Sequence, residues 1–447
     1  MKKDSKNSDD FGWVIENVIS KQLCSGCGTC VGVCPNSTID FKLYDTYYPL
    51  RMTGCDCIEC ELCAKVCPGK GYNMREMAGR NPEKGLKFSD EQGFYEYFAH
   101  GYSNDGGIRR NGASGGVATE LLKFLITEKK VDKVVVVQLE NSKPVVKITD
   151  DVSEIEKAQQ SKYCPVPLNI VLREIMKSNL TYALVGTPCQ IAGQCLAEKQ
   201  IKKLRDKIKY KIGLFCGYIQ TYDSIEQVKK SLKINEADFD YWELIGWRDE
   251  AYPGYFSFEN KCTGEIRRKY LYEWLDFCVP FYSLKRCFLC VDGNNELADL
   301  VVGDVHAAGK DEDVIICRTK RGDELLKSAR KAGNITFYKI NEQKALRGTI
   351  GGIVNTKRKK PSYVIEYLKK KGKTVPNFDI SFPGSKMEKI LATFQFRVIF
   401  LLRHQIIKKK IARSPWLMEK VGGYLYRFPS ALPGFKLVCF IYRRLIK

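Results

Sequence analysis

From residue 93 onward, apolar runs of strand length alternate with stretches whose apolar positions recur every three or four residues. Phe94–Phe98, Val131–Leu139 with its four consecutive valines, Tyr182–Gly186, Lys211–Phe215, Leu297–Gly303 and Val314–Cys317 read as strands. Between the first two, Val117, Leu121, Leu122 and Leu125 fall on one side of an amphipathic helix. Ser153-Glu-Ile-Glu156 fits a capping box before a further short helix. Strands alternating with helices predict an α/β domain with a largely parallel sheet over residues 93–350. Residues 240–285, rich in Tyr, Trp and Phe, read as an irregular insertion over a site. Residues 1–20 read as a loose leader and the polar stretch 73–92 as a linker.

Composition narrows this picture. With 447 residues and 44% hydrophobic positions the chain can bury a sizeable core in two or three domains, which excludes global disorder. The net charge of +21 is uneven: residues 386–447 carry fourteen Lys or Arg against two Glu. The cations are interleaved with Phe, Tyr, Trp, Ile and Leu, so residues 351–447 are expected to be a basic, helical, amphipathic tail facing an anionic surface. Peripheral membrane contact is one expectation, with Phe394, Phe396, Val398, Ile399, Leu401 and Leu402 as apolar area and Arg397, Arg403 and Lys408–Lys410 at the headgroups. A helical pair packed on the main domain is the other. No recognition motif accompanies the charge, so nucleic acid is not an expected partner. The first ten residues lack an apolar signal-peptide region, and no apolar run approaches the length of a membrane span. A cytoplasmic protein, with membrane association at the inner face, is expected. Only three histidines occur, His100, His306 and His404, which argues against a multi-histidine metal site.

The strongest chemical signal lies in residues 24–67. Cys24-x2-Cys27-x2-Cys30-x3-Cys34-Pro35 is followed by Cys57-x2-Cys60-x2-Cys63-x3-Cys67-Pro68. This is the spacing of bacterial two-cluster ferredoxins, in which the fourth cysteine of each array ligates the other cluster. It predicts two [4Fe–4S] clusters, one on Cys24, Cys27, Cys30 and Cys67, the other on Cys57, Cys60, Cys63 and Cys34. Zinc knuckles fit less well, since they pair C-x2-C units across a long spacer. Residues 21–72 are therefore expected to form an α+β ferredoxin-like module, with Cys55 a spare thiol.

A second site is expected at the carboxyl ends of the α/β strands. Gly186-Thr-Pro-Cys189-Gln190, Cys216-Gly217 and Gly303-Asp304 stand there, and Cys287-x2-Cys290-x-Asp292 precedes the last strand. Cys189, Cys216, Cys287 and Cys290 are either isolated small core residues or a third four-thiolate set. Asn111–Gly116 offers flexible backbone and a helix N-terminus, suited to an anion or to an ordinary turn. Gln160-Ser-Lys-Tyr163 adds a cation, hydroxyls and a ring that suit a phosphate-bearing planar cofactor, or else a solvated helix end.

In this order the motifs resemble the family of the coenzyme F420 hydrogenase/dehydrogenase beta subunit, with a two-cluster [4Fe–4S] module at the front. The residues that carry the resemblance are Ser114–Leu122, Ser161–Tyr163, Gly186–Gln190, Gly213–Cys216, Cys287-x2-Cys290-x-Asp292 and Ala298–Asp304. The resemblance implies an FAD site, with Ser114, Gly115, Gly116, Thr119, Ser161, Lys162, Tyr163, Gly186 and Thr187 near the cofactor, and a third cluster on Cys189, Cys216, Cys287 and Cys290. Coenzyme F420 is a further possible cofactor. Gln160 stands where the family often has glycine, and the tail after Ser385 lies outside the family pattern.

The expected function is an iron–sulfur flavoprotein oxidoreductase. Clusters pass single electrons and a flavin passes pairs, and Lys162, Asp304 and His306 are candidates for handling a proton or orienting substrate. Its partners would be a ferredoxin or reductase and a small-molecule or glycan substrate. The alternatives are an electron-transfer subunit without a substrate of its own, and a coenzyme F420-dependent oxidoreductase.

Overall fold

The computed structural model describes residues 10–42, 45–54, 56–79, 85–250, 252–305 and 311–427; Cys55 and His306 lie outside them. Eleven strands matter here: β1 Tyr97–Ser103, β2 Lys133–Glu140, β3 Lys143–Thr149, β4 Tyr182–Gly186, β5 Ile208–Leu214, β6 Trp242–Asp249, β7 Tyr255–Asn260, β8 Ile266–Tyr270, β9 Leu300–Asp304, β10 Asp313–Cys317 and β11 Ile335–Ile340. Eight form one sheet in the order β11-β1-β10-β9-β5-β4-β2-β3. The pairs β2/β4, β4/β5 and β5/β9 are parallel. The hairpin β2/β3 and the pairs β9/β10, β10/β1 and β1/β11 are antiparallel. The sheet is thus mixed rather than largely parallel, a four-strand parallel centre with antiparallel flanks. β3 and β11 escape the sequence pattern because they are only partly buried and carry charged positions.

The run of valines in β2 has its explanation in the two covered faces. Val134 and Val136 pack with helices α1 (Val117–Thr127) and α4 (Lys320–Lys331) on one side, through Leu121, Leu125, Leu325 and Leu326. Val135 faces the other side, with Ile191 and Leu196 of helix α2 (Pro188–Gln200) and with Val18, Val31 and Val33 of the N-terminal segment. A strand buried on both faces reads as a continuous apolar run.

Several segments are more ordered than the sequence suggests. In the leader, residues 10–19 are helical, and Phe11, Val14 and Val18 are buried in the core. The linker contributes a helix at Met74–Gly79, whose Arg75 pairs with buried Glu296 at 3.3 Å. The insertion is a regular antiparallel sheet, β6-β7-β8, followed by helix α3 (Leu271–Tyr282). Ser153 and Glu156 lie inside the helix Val152–Lys157, which is capped instead by Asp151, whose side chain accepts from the Ser153 N–H.

The cysteine-bearing segment packs directly on the α/β domain. Its described elements are short helices, Thr29–Val33 and Leu62–Lys65, and one two-residue strand pairing. Its apolar side belongs to the same core as α2 and the sheet.

The tail is helical: α5 (Lys386–Leu402), α6 (Gln405–Ala412) and α7 (Pro415–Arg427). Phe396, Val398, Ile399 and Leu402 are buried, and the last three join Ile411, Met418 and Val421 against α3 and the β6-β7-β8 sheet. This corrects the membrane reading for those residues, because the apolar area is consumed inside the protein. Arg403 likewise turns inward, donating to the Ser283 carbonyl at 2.6 Å, and Lys408 pairs with Asp223 at 2.9 Å. Leu401 stays exposed. No helix among the described residues is long and apolar enough to cross a membrane.

Candidate functional site

Two cavities lie in the N-terminal segment. One is lined by Cys24, Cys27, Cys30 and Cys67 together with Val14, Val18 and Phe41. The other is lined by Cys34, Cys57, Cys60 and Cys63 with Phe11, Ile39 and Ile58. The fourth cysteine of each array thus lines the other array's cavity. Neither wall contains histidine or a carboxylate. Soft sulfur donors in an apolar cage fit an iron–sulfur cluster. Burial, reinforced by the neighbouring sulfurs, pushes the Cys24 and Cys30 thiols well above their ordinary range. A bound metal centre is what would make four adjacent thiolates stable.

The parallel register brings a third thiol set together. Gly186 at the end of β4 is paired with Gly213 of β5. Cys189 and Cys216 each follow three residues later, so both emerge at the same sheet edge. The short helix Lys285–Phe288 and the turn after it supply Cys287 and Cys290. The four are close enough that Cys216 feels Cys287, Cys189 and Cys290, while Cys189 feels Cys290. Burial pushes Cys189 up to about 11. Cys189 also lies within electrostatic reach of Cys27 and Cys24. Along the molecule the sulfurs form a series: Cys34/57/60/63, then Cys24/27/30/67, then Cys189/216/287/290.

Close backbone contact fixes this series. Asn169 donates from its backbone N–H to the Cys27 carbonyl at 3.0 Å, and from its side chain to Thr29 Oγ1 and the Gln190 carbonyl, each at 2.8 Å. Gly32 lies so near that a Cβ there would sit 1.9 Å from the Asn169 carbonyl oxygen. Tyr72 donates to buried Asp292 at 2.9 Å, and Glu296, four residues on, pairs with fully buried Arg358.

The polar constellation behaves differently. The Ser114 hydroxyl and the N–H groups of Gly115 and Val117 all bind the carboxylate of Asp313, Val117 at 2.8 Å. The anion at this helix N-terminus is therefore one of the chain's own, and the expected phosphate seat at 111–116 is closed. Gly115 is required by that contact, since a Cβ there would lie 2.6 Å from the Asp313 nitrogen. Burial pushes Asp313 up to about 7, aided by Asp304 and opposed by its three donors. Lys162 donates to the carbonyls of Ala158, Gln159 and Gln160 at 2.8, 2.5 and 3.2 Å, so its ammonium is spent inside its own turn. Burial draws it down to about 7. Gln160 adopts φ 69°, the left-handed region that glycine enters freely, which accounts for the family glycine there.

Tyr163 and Asp304 do meet, around an arginine that sequence reasoning missed. Buried Arg248 donates to Asp304 at 2.7 Å, to the Pro253 carbonyl at 2.7 Å and to the Ala113 carbonyl at 2.5 Å, and it bonds the Tyr163 hydroxyl, which Ser161 also reaches. Thr187 is occupied as the cap of α2, its N–H and hydroxyl both donating to Gln190 Oε1, at 2.8 and 2.9 Å. Gly186 presents its carbonyl to Asn295 at 2.9 Å. Gly116 opens α1, and Thr119 lies half-buried on its first turn. A lone cation in the aromatic strand Trp242–Asp249 and an acid opening the apolar run Val314–Cys317 were the available signals for Arg248 and Asp313. Lys357 and Arg358, both buried, were hidden in a basic run that reads as solvated charge.

The chain is 27% identical to the coenzyme F420-dependent sulfite reductase of Methanocaldococcus jannaschii, over 75% of its own length and 51% of that protein's, so it spans about half of that relative. It is 25% identical to the beta subunit of the coenzyme F420 hydrogenase of Methanothermobacter thermautotrophicus, over 64% of this chain and 99% of the relative. A chain of the F420-reducing [NiFe] hydrogenase complex from Methanosarcina barkeri shares the fold, with a TM-score of 0.51 and 21% identity, covering 65% of this chain and 99% of that one. Residues 17–40 match a 4Fe-4S binding domain. Residues 98–173 match the N-terminal model, and residues 180–343 the C-terminal model, of the coenzyme F420 hydrogenase/dehydrogenase beta subunit. Those two matches together span more than half of the sequence, and the chain belongs to the family of the coenzyme F420 hydrogenase/dehydrogenase beta subunit, with a 4Fe-4S binding domain at its front.

Proposed function

We propose that the chain is the electron-transfer subunit of a larger redox complex, passing single electrons along three [4Fe–4S] clusters. The observation that carries this reading is Cys189, which lies within electrostatic reach of Cys27 of the N-terminal segment and of Cys290 of its own set. The chain's own part is to hold the sulfurs, to keep water out with Phe11, Val14, Val18 and Phe41, and to lock the spacing through Asn169. Coenzyme F420, named for several relatives, enters as the two-electron partner of that complex; such a carrier gives or takes a hydride where clusters move one electron at a time.

The reading as a flavoprotein with its own small-molecule or glycan substrate draws on Ser114, Gly115, Gly116, Thr119, Ser161, Lys162, Tyr163, Gly186 and Thr187, of which this chain already uses the donors of Ser114, Gly115, Lys162 and Thr187 internally. Flavin does not fit those donors, and no step is assigned to it. Anaerobic reconstitution of the full chain tests both readings. The proposal expects about twelve iron atoms per chain, no flavin absorbance after gel filtration, and reduction of added coenzyme F420 only with a partner subunit present. Stoichiometric flavin together with turnover by the isolated chain would replace it with the oxidoreductase reading.

A further inference from the structure

Lys357 is a buried cation with no carboxylate partner among the described residues. Only 1% of it is exposed. Its ammonium donates to the Cys287 carbonyl and lies 4.3 Å from the centre of the Tyr218 ring. Its neighbour Arg358, equally buried, has Glu296 as counter-ion; among the described residues Lys357 has none of that kind. A buried charge without a partner is costly, so a lysine held in this way implies a negative group beside it. Two sulfurs of the third set feel its charge, Cys216 and Cys287.

The backbone is shaped to deliver this residue. Asn355–Lys359 is a π-turn inside a longer helical stretch, and it carries Lys357 and Arg358 inward together. Such turns recur at functional positions. Opposite it stands Gly293, where a Cβ would lie 2.7 Å from Lys357 Cβ. Lys357 lies beyond residue 343, where the match to the C-terminal family model ends.

We propose that Lys357 is the built-in counter-ion of a cluster on Cys189, Cys216, Cys287 and Cys290, and that it holds that cluster's reduction potential above the value the four thiolates alone would set. The inference rests on the third cluster of the proposed function. On reduction the cluster gains one electron and no proton, so its charge becomes one unit more negative, and a fixed cation beside it favours the reduced form. Electrons arriving from the Cys24/27/30/67 set would then collect at the α/β end of the series.

An EPR-monitored redox titration of the full chain, reconstituted anaerobically and reduced with dithionite, decides the matter. Lys357→Met should shift the third cluster's midpoint to more negative potential and leave the other two in place. Lys357→Arg, which keeps the charge, should titrate near wild type. A Lys357→Met protein whose third cluster titrates at the wild-type potential overturns the proposal, as does an equal shift in both variants, which would signal packing. If Lys357→Met cannot retain the third cluster, full iron in Lys357→Arg still supports the charge role, and loss in both overturns it. Cys216→Ser separates the underlying reading: if its iron content and spectrum equal those of wild type, the third cluster itself is absent and the lysine proposal falls with it.

Discussion

The sulfur series and the polar constellation border the same sheet and end in opposite states. Cys189, Cys216, Cys287 and Cys290 gather with Lys357 beside two of them, and the eight cysteines of the N-terminal segment line two shared cavities. The other partners of these thiols are weak hydroxyl and backbone contacts such as Thr187, Thr29 and Thr38. Ser114, Lys162, Thr187 and Asp304 all have partners within the chain. The contrast shows which motifs mark a ligand. Thiols that gather without another role need a metal to justify them, whereas a hydroxyl or amide at a helix start is readily satisfied by a carboxylate from elsewhere in the fold.

The largest expected effect breaks this comparison directly. Cys67→Ala should cost about a third of the bound iron and abolish the signal of the Cys24/27/30 site, leaving the Cys34/57/60/63 signal intact. Ser114→Ala, on the other side of the contrast, should leave the iron unchanged. Iron analysis with EPR on both variants checks the pair. Loss of the Cys57/60/63 signal in Cys67→Ala would show that each array keeps its own fourth cysteine.

The next effect is smaller and tests the joint between the two regions. Gly32→Ala places a methyl 1.9 Å from the Asn169 carbonyl oxygen, so the cysteine-bearing segment must shift away from the turn Leu168–Val171. Overpacking of this kind costs roughly 1–3 kcal/mol. Urea unfolding should show a loss of that size, with slower electron passage from the Cys24/27/30/67 set to the next. Unchanged stability would mean that the segment rides loosely on the sheet.

Much of this arrangement was legible in the amino-acid order alone. The two arrays carry their partition in their spacing, and the ends of β4 and β5 were marked by Gly186 and Gly213 with a cysteine three residues beyond each. What sequence could not show depends on long-range pairing. Asp313 reaches Ser114 across 199 positions, and Arg248 reaches Asp304 across 56. The tail misled for a related reason: an apolar stripe flanked by cations looks the same whether it meets lipid or the protein's own core. Val398, Ile399 and Leu402 take the second course.

The finest expected effect lies in how stability depends on pH, and it sharpens the contrast by isolating two of the internally satisfied groups. Asp313, ordinarily near 3.8, is pushed up to about 7, so the folded chain keeps a proton that the unfolded chain has lost between those values. Its contribution to stability is therefore greatest below about pH 4 and is lost as the pH rises through 7. Lys162, ordinarily near 10.5, is drawn down to about 7, so above that pH the unfolded chain keeps a proton that the folded chain has released. Its contribution is present above about pH 10.5 and is lost as the pH falls through 7. The two act in separate windows and leave a minimum near neutrality. Urea midpoints should show Asp313→Asn flattening the fall between pH 4 and 7, and Lys162→Met flattening the rise between 7 and 10, each read as a difference from wild type. If Lys162→Met tracks wild type across the alkaline window, the ammonium is solvated and free of its three carbonyls, and Lys162 returns to the set of groups available to a ligand.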